Sequence, residues 1–277
     1  MIRIGPGNTD PTIDRDQLRQ AIADHRQDSS ELWLVLLGHG TFDGRTARFN
    51  LEGPDVSATD VAGWLQSIAC RAVVVNCSSA SGPFINRLSG ANRVIVTATK
   101  SGHERNFARF GGYLSEAISD PSADLDKDNS TSLLEAWLMA SRSTRTFYEN
   151  EGRLATEHAL LDDNEDGFGS RSEDIRGIQP VGEDGGEQPD GRTAHQVHLM
   201  PGERDQGIPE ELRKRRDELE LDVARLRQRR NALTEDEYYS TLEILLIELA
   251  TLNEAADVPI KNADPSTGSG RAIHQEL

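Results

Sequence analysis

Cysteine, aromatic residues and long apolar runs are all scarce in this chain. Of 277 residues only Cys70 and Cys77 are cysteines, and Phe, Trp and Tyr together make up 5%. Two cysteines make no disulfide framework. They bound the two ends of one predicted strand, about 20 Å apart at ~3.3 Å per residue, so no bridge joins them. No run approaches the roughly 18 apolar residues of a membrane-spanning helix, and the amino terminus has no apolar stretch of the signal-peptide kind. The expected compartment is therefore the cytoplasm by default, or outside the cell if the start has been trimmed. A glycine-rich phosphate loop after a strand is also missing, which ranks a nucleotide-binding domain last. Basic residues are the minority: 30 Lys and Arg stand against 47 Asp and Glu, a net charge of −17. That balance argues against nucleic acid or an anionic membrane as partner. Apolar residues, at 36%, lie below the usual globular mix, so part of the chain is expected outside a core.

What is present centres on Ala72-Val-Val-Val-Asn-Cys-Ser-Ser-Ala-Ser-Gly82. The unbroken run Val73–Val75 reads as a strand covered on both faces, as in parallel sheets. It ends at Cys77 among small residues that allow a sharp turn. Leu32-Trp-Leu-Val-Leu-Leu37 is a second such run and ends in Gly38-His39-Gly40. Ligands of open α/β sheets bind at the carboxyl ends of strands. If the two strands are parallel neighbours, His39 and Cys77 emerge at one edge. A histidine there can take the thiol proton and make the thiolate nucleophile. The backbone N–H groups of Gly40 and Cys77 would then face a developing oxyanion. Taken singly, a cysteine at a strand end is a small buried hydrophobe and a histidine between glycines a turn residue. The ordered pair of motifs is more specific than either.

Leu34-Val-Leu-Leu-Gly-His-Gly40 and Val75-Asn-Cys-Ser78 resemble the caspase-like cysteine peptidases, and among them the legumain branch. The resemblance covers about residues 30 to 115. It implies a caspase-type α/β sandwich, with Cys77 as nucleophile, His39 as general base and Gly40 as oxyanion donor. It also implies a peptide or protein substrate and no catalytic cofactor. Legumains carry an acid two positions before the nucleophile; here that position is Val75, so their asparagine specificity does not carry over. A strand and a helix precede the histidine strand in that family. Here Arg3-Ile-Gly5 is hardly a strand, so the first strand is missing or has been trimmed. The rival reading is a catalytically inactive caspase-like interaction module.

The rest of the chain supports an α/β, three-layer fold with a mostly parallel sheet. A helix is expected over Asp14–His25, with Leu18, Ala21 and Ile22 inward. A hairpin over Thr41–Leu51 turns at Asp43-Gly44. Ser57 or Thr59 opens a helix through Ile68, and a short helix or turn follows over Gly82–Leu88. Arg93–Thr99 is the third parallel strand. Lys100–Asn106 follows its carboxyl end and lines the same cleft, so the family resemblance makes Lys100, His103, Glu104 and Arg105 expected substrate contacts. A solvated loop is the alternative. Helices are expected over Phe107–Ile118 and Leu133–Tyr148, the latter with Leu134, Trp137, Leu138, Ala140 and Ser141 on one face.

Two acidic loops stand out. Asp124, Asp126, Asp128 and Glu135 occupy positions 1, 3, 5 and 12 of an EF-hand pattern, which would hold a structural calcium ion. The alternative is a helix start, because Ser132 to Glu135 is a capping box. Asp162, Asn164, Asp166, Gly167 and Glu173 repeat the pattern, but no apolar helix follows and a plain acidic loop is the better reading.

Residues 1–175 are thus expected to form the peptidase-like domain and 176–207 a flexible linker. No role is assigned to His195 or His198 within that linker. Residues 208–257 should form an antiparallel helical hairpin, and 258–277 a disordered polar tail. In the hairpin Leu212, Leu219, Leu226 and Leu233 recur every seven residues. Tyr238, Leu242, Leu245, Leu249, Leu252 and Ala256 alternate spacings of four and three, a coiled-coil seam. Such a stripe is expected to dock on the peptidase-like domain or on a second copy of the chain.

Overall fold

The computed structural model describes residues 1–5, 13–27, 30–127, 130–176, 178–180, 190–198 and 208–256. The chain divides into two compact units, 1–206 and 207–277. The first is α/β. Its main sheet contains four strands in the order β1 (Leu32–Leu36), β5 (Ala72–Asn76), β6 (Arg93–Thr97) and β7 (Leu160–Asp162). The pairs β1–β5 and β5–β6 are parallel, with Leu36 opposite Asn76 and Asn76 opposite Thr97. β7 returns antiparallel on β6.

The apolar runs explain the sheet. Every residue of β5 is buried. Val73 and Val75 belong to one cluster with Phe110, Leu114, Trp137 and Leu161. Ala72 and Val74 belong to another with Val61, Leu65, Phe84 and Ile85. A strand covered on both faces needs apolar side chains at every position rather than every second one, as this sequence has.

Helices cover these clusters. α1 (Ile13–Asp24) buries Leu18 and Ile22, the face expected of it. α2 (Ala58–Leu65) opens at Ser57, whose hydroxyl accepts the Asp60 N–H while Asp60 accepts the Ser57 N–H. α3 (Pro83–Leu88) follows β5. α4 (Phe110–Ser119) starts three residues later than expected, and α5 (Leu133–Asn150) starts at Leu133 as expected. Trp137 of α5 is fully buried. A small sheet of β2 (Gly40–Phe42), β3 (Ala47–Phe49) and β4 (Val56–Ser57) follows β1. The β2–β3 turn is the one expected at Asp43-Gly44: Asp43 Oδ1 accepts the N–H groups of Arg45 and Thr46, and Gly44 has φ 91°.

Residues 190–198 depart from the expected linker. They include α6 (Arg192–His195), and Ala194 and Val197 are fully buried in the cluster of Trp137. The physical reason is a pair of aspartates. Asp163 Oδ1 accepts the Gly191 N–H at 2.8 Å and Asp163 Oδ2 the Ala194 N–H at 2.7 Å. Asp190 accepts from Asp163 N, Ser170 N and Ser170 Oγ. The Leu133 N–H donates to Val197 O at 2.7 Å. Two further strands, β8 (Ile175–Arg176) and β9 (Gln179–Pro180), pair antiparallel.

The second unit contains α7 (Glu210–Gln228) and α8 (Glu235–Ala256), which touch each other. Arg215 Nη2 of α7 lies 2.6 Å from Glu248 Oε1 of α8. The expected capping box holds: Thr234 N and Oγ1 donate to Glu237 Oε2, and the Glu237 N–H donates back to Thr234 Oγ1. Tyr238 is buried, whereas Tyr239, Ile244, Leu246 and Ile247 are exposed. Lys261–Leu277 lies outside the described residues.

Burial pushes the Asp190 carboxyl up to about 7, against the hydrogen bonds it accepts. A carboxyl raised on folding holds its proton more tightly in the folded state. Its contribution to stability is complete below the unfolded value near pH 4 and is lost as pH rises through about 7. Comparing wild type with Asp190→Asn should therefore show a stability difference that moves in favour of the variant from pH 4 to pH 7. The slope should be up to about 1.4 kcal/mol per pH unit. Urea midpoints at pH 5, 6, 7 and 8 measure it, and parallel curves would contradict the assignment.

Candidate active site

Parallel pairing carries β1 and β5 to the same edge. The Cys77 N–H donates to Leu36 O at 2.9 Å, continuing the ladder by one residue. Asn76 Oδ1 then accepts Ser78 N at 3.0 Å and Ser78 Oγ at 2.6 Å, which turns the chain away from the sheet. On the β1 side the loop Gly38-His39-Gly40 leads into β2. Gly40 N donates to Ser79 Oγ at 3.2 Å, and Ser79 Oγ donates to Gly40 O at 3.1 Å. A Cβ at Gly40 would stand 2.2 Å from Ser79 O, so the approach of the two segments requires glycine there. The structure therefore brings the His39 loop and the Cys77 turn together.

The side chains are less close to catalytic geometry. Cys77 is 6% exposed and belongs to the apolar cluster of Phe110 and Trp137. Gly111 of α4 lies directly on it: a Cβ there would meet Cys77 Cβ at 2.7 Å. Burial, with a smaller effect from the Glu157 charge, pushes the thiol up to about 12. His39 is exposed, and its ring meets Phe107 edge-on with centroids 6.4 Å apart. Among the described residues no hydrogen bond joins His39 to Cys77. Both expected oxyanion donors have acceptors already, Ser79 Oγ for Gly40 and Leu36 O for Cys77. Val75 is buried in the same cluster.

The loop after β6 crosses this edge. Lys100, His103 and Arg105 are exposed on it, and His103 packs edge-on against Phe42 at 5.5 Å. The residue that ties the loop down is Glu104. It accepts the Lys100 N–H at 2.8 Å through Oε2 and pairs with His158 through Oε1. Its backbone oxygen accepts the Ala80 N–H at 2.8 Å, in the turn that Cys77 begins. Glu157, next to His158, accepts the N–H groups of Arg109 and Phe110 and the Tyr148 hydroxyl. Sequence reasoning placed Glu104 among the substrate contacts rather than as the loop's anchor, and it missed Glu157 and His158. They are single residues far from the two motifs, and no spacing rule marks them.

In the two acidic loops the described carboxylates bond to neighbouring backbone and side-chain groups. Glu135 Oε2 accepts Ser132 N and Oγ, and Oε1 accepts the Leu125 N–H at 2.7 Å. Oε2 thus makes the capping-box contacts of α5, and Oε1 holds the preceding loop. Asp124 Oδ1 accepts the Lys127 N–H, and the Lys127 ammonium donates to Asp124 O. Asp128 lies outside the described residues. Asp126 pairs instead with His195 at 3.0 Å, and these two with Glu135 bring ligand-type atoms within 4.8 Å of one another. In the second loop Asp162 belongs to β7, and Glu173 is paired with Arg145.

Gly111 and Gly112 offer a paired test of the Cys77 contact. A Cβ at Gly112 meets nothing within 4 Å. Gly112→Ala should thus stabilise by about 0.5–1 kcal/mol through helix propensity. Gly111→Ala gains the same propensity but forces Cys77 aside, at a cost of roughly 1–3 kcal/mol for overpacking. The expected order of urea midpoints is Gly112→Ala above wild type above Gly111→Ala. The reverse order of the two variants would show that Cys77 has room to spare.

Compared with family models, curated proteins and solved structures, the chain matches none.

Proposed function

We propose that residues 1–206 form a caspase-like cysteine endopeptidase in a resting, closed state. The observation that carries this reading is the convergence of Gly38-His39-Gly40 and Asn76-Cys77 at the carboxyl ends of two paired parallel strands. The apolar clusters on the two faces of β5 support the three-layer sandwich that the reading requires. In the reaction His39 takes the proton from Cys77, and the thiolate attacks the scissile carbonyl. The amine leaves with that proton, and water then hydrolyses the thioester. His39 and Cys77 must come within hydrogen-bond reach for this, so the covered sulfur has to be released first. Lys100, His103 and Arg105, on the loop after β6, are the proposed substrate contacts.

A second reading, a non-catalytic interaction module, is favoured by the burial of the Cys77 thiol and its displacement to about 12. A fluorogenic peptide library assayed with wild type, Cys77→Ala and His39→Ala separates the two. The peptidase reading expects hydrolysis in wild type alone and covalent labelling of Cys77 by a thiol-reactive peptide. No hydrolysis and no labelling in a folded sample supports the module.

For residues 207–277 we read α7 and α8 as an antiparallel hairpin that associates with a second copy. Arg215–Glu248 supports the pairing, and the exposed Ile244, Leu246 and Ile247 of α8 supply apolar surface. Light scattering on the full chain should show a dimer that Ile244→Glu and Ile247→Glu dissociate. A monomer across the micromolar range would remove this reading.

A further inference from the structure

Glu157 is 3% exposed, and among the described residues its donors are the first residues of α4 and a tyrosine of α5. The Arg109 N–H reaches Oε1 at 3.0 Å and Oε2 at 2.7 Å, the Phe110 N–H reaches Oε2 at 3.0 Å, and Tyr148 Oη reaches Oε1 at 3.0 Å. Arg109 and Phe110 begin α4, whose own N-cap side chain makes no capping bond. Gly111, the next residue, is the one lying on the sulfur. A remote glutamate therefore fastens the start of this helix across the candidate nucleophile.

We propose that Glu157 is a lock on Cys77: it pins the first turn of α4 over the sulfur and sets a full negative charge beside it. Displacing that carboxylate is what turns Cys77 into a nucleophile.

The electrostatics run in one direction. A helix N-terminus carries about half a positive charge and ordinarily lowers a neighbouring thiol's pKa. Here the carboxylate of Glu157 sits on those N–H groups, and its charge adds to the larger effect of burial in pushing the thiol up. The other charged groups nearby do not oppose it. The Arg109 guanidinium stacks on Phe147 at 4.1 Å and faces Phe107 at 5.9 Å. Glu104 is paired with His158 and Lys100, and His39 is exposed. The segment that carries Glu157 is anchored through Tyr148 in the last turn of α5. Just before it the chain is open: Leu154 is 91% exposed. Glu157 is a positioning residue, since it acts through α4 and through its field and touches no substrate.

The lock bears on hydrolysis only under the peptidase reading, but it is measured without it. The full chain carrying Cys70→Ser leaves Cys77 as the one cysteine. Its alkylation by iodoacetamide is followed by mass from pH 6 to 11. The expected midpoint in this background is about 10 or above, against about 8.5 for a free cysteine. Glu157→Gln keeps an acceptor and removes the charge. It should lower the midpoint by a unit or more and speed labelling at pH 8 about ten-fold. Glu157→Asp should keep labelling slow. A purely structural Glu157 would lower the melting temperature of Glu157→Gln and leave the midpoint where it was, which overturns the proposal. If Glu157→Gln does not fold, a midpoint near 8.5 in the parent chain overturns it equally, and one above 10 with slow labelling in Glu157→Asp supports it. Absence of peptide hydrolysis with a shifted midpoint removes the peptidase reading and leaves the lock.

Discussion

The parallel registration of β1, β5 and β6 is the constraint on which the rest depends. Leu36, Asn76 and Thr97 stand at one level, and the next N–H on each side is still in the ladder: Cys77 donates to Leu36 and Ala98 to Asn76. Every feature of the site is a consequence of where the ladder stops. The chain can turn only after Cys77, so Asn76 caps the turn with its side chain. The Gly38–Gly40 loop must then pass over Ser79, and the loop after β6 must pass over Ala80. A one-residue slip of β5 would move Cys77 to the opposite face and exchange its neighbours in one apolar cluster for those of the other.

Local signals strong enough to act without tertiary help were legible in the sequence. Continuous apolar runs gave β1, β5 and β6 almost to the residue; β5 is buried at every position, whereas the edge strand β1 leaves Val35 exposed. Ser57-Asp60, Ser132-Glu135 and Thr234-Glu237 marked helix starts, because a capping box satisfies backbone donors within four residues. The Asp43-Gly44 turn was visible for the same reason.

What stayed hidden depends on distant partners. β7 is three residues long and adjoins an acidic loop, so nothing in its own composition announces a strand. Residues 190–198 are polar, and Ala194 and Val197 form no pattern. They are held by Asp163 and Asp190, whose side chains reach backbone N–H groups about thirty residues away. The acidic loop 124–135 carries both patterns the sequence offered. Regular spacing of acids is shared by cation cages and by helix starts; here Glu135 makes the capping-box bonds and also lies beside Asp126 and His195.

The capping of α4 shows where the fold gives up local consistency. Arg109 is a poor N-cap, and Ser, Thr, Asp or Asn at that position would satisfy the first turn from within the helix. The chain instead buries a carboxylate from a segment forty-eight residues later. Removing a charge from water is expensive, and two backbone N–H groups with one hydroxyl only offset that cost. A local cap would hold α4 with less burial of charge. It would not couple the start of that helix to the segment entering β7, nor place a negative charge against Cys77. Departures of this kind, where a remote and costly interaction replaces a local and cheap one, concentrate at sites under functional constraint. Glycine does the complementary work on the other side of the contact. At position 111 the helix can lie on the sulfur only because no Cβ intervenes. The missing Cβ lets the helix cover the sulfur, and that burial, with a smaller effect from the Glu157 charge, is what pushes the thiol up.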